Sequence, residues 1–81
     1  MRIDSVVLKQ LKKIPRRYAE RIFEVIRSFA INPYAGDIEK MKGEDALWRR
    51  RVGSYRVFYE VDGAKKIITV FDVRRRTSNT Y

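Results

Sequence analysis

Cysteine and histidine are both missing from this chain. Without cysteine there is no disulfide framework and no thiolate metal site. Without histidine the usual imidazole metal ligand, and the usual side chain for proton transfer near neutral pH, are excluded. No apolar run approaches the roughly 20 residues that a membrane-crossing helix needs. The opening Met1-Arg2-Ile3-Asp4-Ser5 lacks the long apolar stretch of a signal peptide. A cytoplasmic protein with no membrane partner, no metal and no cofactor is expected. There is no repeat, no low-complexity tract and no linker, so residues 1–81 read as one domain.

What the chain does have is positive charge. Nineteen Lys and Arg face ten Asp and Glu, a net +9 with a pI near 10.3. Between Ala46 and Tyr81 nine residues are basic and three acidic, with Arg outnumbering Lys. Such a balance favours polyanions, of which nucleic acid is the commonest, and arginine is the better phosphate fork.

Hydrophobic spacing divides the chain in two. Arg2 to Asp4 reads as a short strand. Ser5 is expected to cap a helix starting near Val6, because its hydroxyl can accept an orphan amide hydrogen. Val7, Leu8, Leu11 and Ile14 share a face of that helix. Pro15 suits the start of a second helix, predicted from about Arg16 to Ala30. There Tyr18, Ile22, Val25, Ile26 and Phe29 recur at three- and four-residue spacing. Asn32-Pro33 stops it and a loop follows.

Three strands are expected next. They are Ala46 to Val52, Tyr55 to Val61 and Lys65 to Val73, joined at Gly53-Ser54 and Asp62-Gly63, both tight-turn signals. Arg74 to Tyr81 reads as a polar tail. The order β-α-α-β-β-β implies an α+β fold, an antiparallel helical hairpin packed on one face of a small, mainly antiparallel sheet. The other sheet face is then open to solvent.

Strand alternation sorts the side chains between those faces. Trp48, Val52, Tyr55, Val57, Tyr59 and Val61 fall on the helix side. Arg49, Arg51, Arg56, Phe58 and Glu60 fall on the open side. Arg50 falls among the apolar set and reads as a structural exception, expected to snorkel to the sheet edge or pair with a helix acid. Arg74, Arg75 and Arg76 arrive from the last strand. Arg49, Arg51 and Arg56 with this run make a phosphate-binding surface, on which Phe58 and Tyr81 are available to stack on bases.

These residues resemble a known family. Met41-Lys42-Gly43, the run Leu47-Trp48-Arg49-Arg50-Arg51-Val52-Gly53-Ser54-Tyr55-Arg56-Val57-Phe58-Tyr59-Glu60-Val61 and the ending Arg74-Arg75-Arg76-Thr77-Ser78-Asn79-Thr80-Tyr81 are similar to the RelE/ParE toxin superfamily. Leu8-Lys9-Gln10-Leu11-Lys12-Lys13-Ile14-Pro15 resembles its first helix. The resemblance implies a toxin of a type II toxin–antitoxin pair. RelE-type members enter the ribosomal A site and cut messenger RNA, whereas ParE-type members inhibit DNA gyrase. The paired Arg49 and Arg51, the strand residue Arg56, the tail residue Arg75 and Tyr81 match the RNA-cutting branch. The implied reaction is metal-independent attack of the RNA 2′-hydroxyl on the adjacent phosphate.

The catalytic set expected on that basis is Arg51, Arg56, Arg75 and Tyr81, with Arg49, Arg74, Arg76 and Phe58 binding RNA. Arg56 and Arg75 suit charge stabilisation on the phosphate. The general base stays open between Arg51, Glu60 and Tyr81, because arginine rarely gives up its proton. The expected partners are the ribosome, messenger RNA and an acidic, partly disordered antitoxin. Gyrase inhibition and a non-catalytic nucleic-acid-binding role are the alternatives.

Overall fold

The structure, a computed structural model, describes residues 1–43 and 46–75. It runs β1 (Arg2–Ile3), α1 (Ser5–Lys12), α2 (Arg16–Ser28), β2 (Ile38–Lys40), β3 (Leu47–Val52), β4 (Tyr55–Asp62) and β5 (Ile67–Arg75). The strands form one five-stranded sheet in the order β1-β5-β4-β3-β2. Only β1 and β5 pair in parallel; the other pairings are antiparallel. The α+β expectation therefore holds, with one strand more than anticipated after the helices. Ile38-Glu39-Lys40 becomes β2 by pairing with Arg50, Arg49 and Trp48. Three residues beside a glycine turn leave too little periodicity to announce a strand.

Two local expectations change. Ser5 lies inside α1 rather than capping it; Asp4 takes the N-cap position without a side-chain capping bond. The β4–β5 connection is four residues, because Asp62 pairs with Ile67. The Asp62 carboxylate accepts the Lys65 N–H at 3.1 Å, and Lys66 takes the left-handed conformation at φ 56°. Asp62-Gly63 thus opens a longer turn instead of a two-residue one.

The core lies between the helices and one sheet face. Val7, Ile22, Ile26 and Phe29 from the helices meet Val52, Tyr55, Val57, Tyr59, Val70 and Val73 from the strands. Fully burying each such side chain contributes about 1.5–3 kcal/mol. Phe29 stacks on Tyr59 with ring centroids 4.1 Å apart. The Tyr59 hydroxyl donates to the Pro33 carbonyl, so its one polar atom is satisfied in the core. Burial pushes the Tyr59 phenol up to about 12, against the opposing pull of Arg50.

Arg50 is on the helix side, as alternation requires, since it pairs with Val57. It finds no helix acid. Its guanidinium instead lies over Gly36 and donates to the Ala35 carbonyl at 3.2 Å. A Cβ at Gly36 would collide with that guanidinium, and Gly36 also has φ +86°. The loop before β2 therefore needs glycine there on both counts.

The outer edge of β5 is covered in two ways. β1 pairs only with Thr69 and Val70. Beyond it, the Gln10 side chain from α1 takes over: its Oε1 accepts the Val73 N–H at 2.9 Å and its Nε2 donates to Asp72 Oδ1 at 2.7 Å.

Candidate nucleic-acid interface

Register places the arginines. In antiparallel pairs, directly opposed residues share a face. Arg51 opposes Arg56, Arg56 opposes Arg74, and Arg49 opposes Phe58. Val57 and Tyr59 are fully buried under the helices, so this intervening set lies on the open face. Arg49, Arg51, Arg56 and Arg74 therefore come together across three strands. Phe58 joins them, half-buried, with its ring 6.4 Å from that of Phe71.

Arg75 does not join them. It opposes Tyr55, a core residue, and lines a groove on the helix side with Gln10, Lys13, Ile14, Pro15 and Val73. The cause is a β-bulge. Phe58 pairs with Asp72 but Tyr59 pairs with Val70, which leaves Phe71 as an extra residue in β5. An extra residue inverts the alternation beyond it. Counting outward from Val70 by twos would put Arg74 on the helix side and leave Arg75 on the open face; the bulge exchanges the two. Arg76 and Tyr81 lie outside the described residues.

Sequence reasoning missed the acids of this face. Arg49 Nε donates to Glu39 Oε1 at 2.7 Å, and its Nη2 bonds the same oxygen. Arg51 Nε stands 3.5 Å from Asp37 Oδ2. Arg74 Nε donates to Asp72 Oδ2 at 2.6 Å. Among the described residues only Arg56 of the four has no carboxylate partner. Glu39 and Asp37 enter through β2 and its approach, the strand that the sequence concealed. Their charge just ahead of the arginine-rich strand was the available signal.

Asp37, Glu39, Arg49, Arg51 and Arg56 line one polar cleft of about 30 Å³. That is water-sized, with room for a single ligand oxygen and not for a whole nucleotide. Glu39 and Asp37 keep 65% and 64% of their side-chain surface exposed. Exposed pairs of this kind contribute about 0–1 kcal/mol each, so a phosphate can displace the carboxylates at small cost. Asp72 is held more firmly. Burial works to raise its carboxyl, but hydrogen bonds from Gln10, Arg74 and the Val73 N–H, with the Arg74 charge, outweigh burial and hold it below the ordinary carboxylate value. Glu60 pairs with Leu47 and Thr69, toward the opposite end of β4 from Arg56. No group of three or more acids among the described residues is placed to hold a metal ion.

A helical hairpin on one face of a bulged sheet, with arginines gathered on the other, is the architecture of a small toxin fold. The chain belongs to the RelE/ParE family of type II toxin–antitoxin toxins: the family described as "ParE toxin of type II toxin-antitoxin system, parDE" matches residues 2–80. A protein of Methanocaldococcus jannaschii named RelE1 is 35% identical over 77 residues, covering 91% of this chain and 86% of that one. Among solved structures, the RelB–RelE antitoxin–toxin complex from Methanococcus jannaschii contains a chain that superposes with a TM-score of 0.79. It is 28% identical and covers 100% of this chain and 99% of its own. The isolated RelE toxin of E. coli superposes at 0.80 with 18% identity, covering 98% and 85%, and so shares the fold.

Proposed function

We propose that the protein is an RNA-cutting toxin of the RelE branch, acting on messenger RNA in the ribosomal A site in the cytoplasm. The observation that carries this reading is the convergence of Arg49, Arg51, Arg56 and Arg74 on one uncovered sheet face. Relatives named RelE support the branch. An antitoxin is the second proposed partner, by analogy with the RelB-bound relatives.

In the proposed reaction the 2′-hydroxyl oxygen bonds to phosphorus and the bond from phosphorus to the 5′-oxygen breaks. The products are a cyclic phosphate and a free 5′-hydroxyl. The 2′ proton passes to a base and a proton returns to the leaving oxygen. Arg56 and Arg51 hold the non-bridging oxygens as charge builds on them, and Arg49 and Arg74 fix the flanking backbone. Glu39 and Asp37 line the same cleft, so they are better placed than Glu60 to take the proton. Phe58 offers a ring to a base. From the tail, Arg76 is assigned to backbone contact and Tyr81 to orienting the nucleotide. Arg75, across the sheet, is not assigned to this cleft.

Induction of the protein in cells, followed by primer-extension mapping of transcripts, tests the proposal. Cleavage inside codons is expected, and Arg56→Ala should lower it at least a hundredfold with the fold intact by circular dichroism. Uncut messages under toxic induction would end the nuclease reading. One observation favours a second reading, gyrase inhibition: the matching family is described by the name ParE. That reading requires intact messages and impaired DNA supercoiling instead.

A further inference from the structure

Three of the four arginines on the open face are matched by acids, yet the chain has a net charge of +9. Much of the excess sits elsewhere. From Ser5 to Ala19 there are five cations, Lys9, Lys12, Lys13, Arg16 and Arg17, and no acid. Lys9, Lys12 and Lys13 stand at i, i+3 and i+4 around the end of α1, and all three are exposed. None of the three ammonium groups has a hydrogen-bond or ion-pair partner among the described residues. Arg17 donates to the Tyr18 hydroxyl at 2.9 Å and lies over that ring, without an acid. Arg16 is the exception, paired with Glu20. Lys13 and Arg75 line one groove of about 340 Å³, floored by Tyr55, Ile14 and Val73. The bulge that removes Arg75 from the open face delivers it to this cluster.

We infer that the tip of the helical hairpin, with Lys9, Lys12, Lys13, Arg17 and Arg75, is a second RNA-binding surface that takes the phosphate backbone of a folded, double-stranded RNA. The inference rests on the reading that the protein acts on RNA. It adds that one molecule holds two RNA elements at once, a single strand on the sheet and a duplex at the hairpin tip. A row of cations at helical spacing, with no acid among them, follows a regular backbone without reading its bases. A protein partner needs apolar anchors in a pocket. The exposed apolar side chains of the helical layer lie mostly elsewhere, Val6 and Leu8 early in α1, and Phe23 and Ile31 from the middle of α2 onward; Tyr18 is at the tip, but its ring is taken up by Arg17 and Tyr55. The tip is the charge-rich, anchor-poor part of the helical layer, which is why a duplex fits it better than an acidic polypeptide.

The test uses three purified full-length proteins: the unaltered chain, Lys9→Ala/Lys12→Ala/Lys13→Ala, and Arg56→Ala. Each is titrated with a perfectly paired RNA duplex, an unstructured RNA and poly-glutamate, at salt concentrations between 50 and 200 mM. The lysine variant should lose at least tenfold in duplex affinity, and its slope of log K against log salt should fall by about 2–3. Its affinity for unstructured RNA should stay within twofold. Replacing the same three lysines with arginine should restore duplex binding. Unchanged duplex affinity would overturn the inference, as would an equal loss for both RNAs. Loss of poly-glutamate binding alone would make the tip a protein-docking surface instead. Arg56→Ala separates the two proposals. If it leaves cleavage intact, the sheet reading fails while the duplex result stands or falls by itself.

Discussion

The two faces of the sheet are built from the same strands and treat charge in opposite ways. On the helix side Arg50 is fastened to a backbone carbonyl over Gly36, Arg75 stands at the exposed end in a groove, and the buried residues are apolar. On the open side the arginines stand in a row, and two of them, Arg49 and Arg51, carry an exposed carboxylate that water can replace. The inner face holds the domain together through packing. The outer face contributes little to stability, and its pairs are weak enough to be exchanged for a ligand's phosphates. Stability and binding are thus divided by strand parity, and substitutions one residue apart should affect different properties.

Tyr59 and Arg51 give the sharpest form of that contrast. Tyr59→Ala should cost about 3–5 kcal/mol, because it removes a stacked, fully buried ring. In a domain this small that is most of the folding free energy. Arg51→Ala should change stability by less than about 1 kcal/mol. Urea denaturation of the two variants checks both values. Equal losses would mean that the open face is structural after all.

A second contrast is in alkaline stability. The folded-state phenol of Tyr59 is raised to about 12 from an ordinary value of 10.0. The folded chain therefore holds that proton where the unfolded chain releases it. The stabilisation is complete below pH 10 and is lost as pH climbs toward 12, on the order of 2 kcal/mol in all. Tyr59→Phe should flatten the stability profile across that window, which denaturant titrations at successive pH values would reveal. Asp72 works in the other direction. Its folded value is lowered, so its contribution is present at neutral pH and disappears as acid protonates it.

The smallest expected effect concerns Glu39. Removing its charge with Glu39→Gln leaves Arg49 free to meet phosphate, and affinity for unstructured RNA should rise about fivefold at low salt. Mobility-shift titrations would measure it. Unchanged affinity would show that the carboxylate and the RNA do not compete.

Much of this division was readable in the sequence. The run Tyr-Arg-Val-Phe-Tyr-Glu-Val alternates so regularly that β4 had one plausible orientation, and Arg49, Arg51 and Arg56 followed from it. The helices were equally legible, since Ile22, Ile26 and Phe29 fall on one stripe. Two things were not. β2 is too short to show alternation, and its acids came as a surprise with it. The bulge at Phe71 leaves no pattern in Asp-Val-Arg-Arg, because the insertion is a property of pairing with β4 and not of β5 itself. A single unmatched residue was enough to exchange Arg74 for Arg75.

The carboxamide of Gln10 is chemically a peptide group. Its carbonyl accepts the Val73 N–H as a neighbouring strand's would, while its amide turns to the Asp72 carboxylate, and it belongs to a helix and cannot be extended. A bare margin at that point would offer Val73 to any extended chain, including a second copy of this one. The chain thus blocks strand addition at Val73 with a single side chain, without needing a longer first strand.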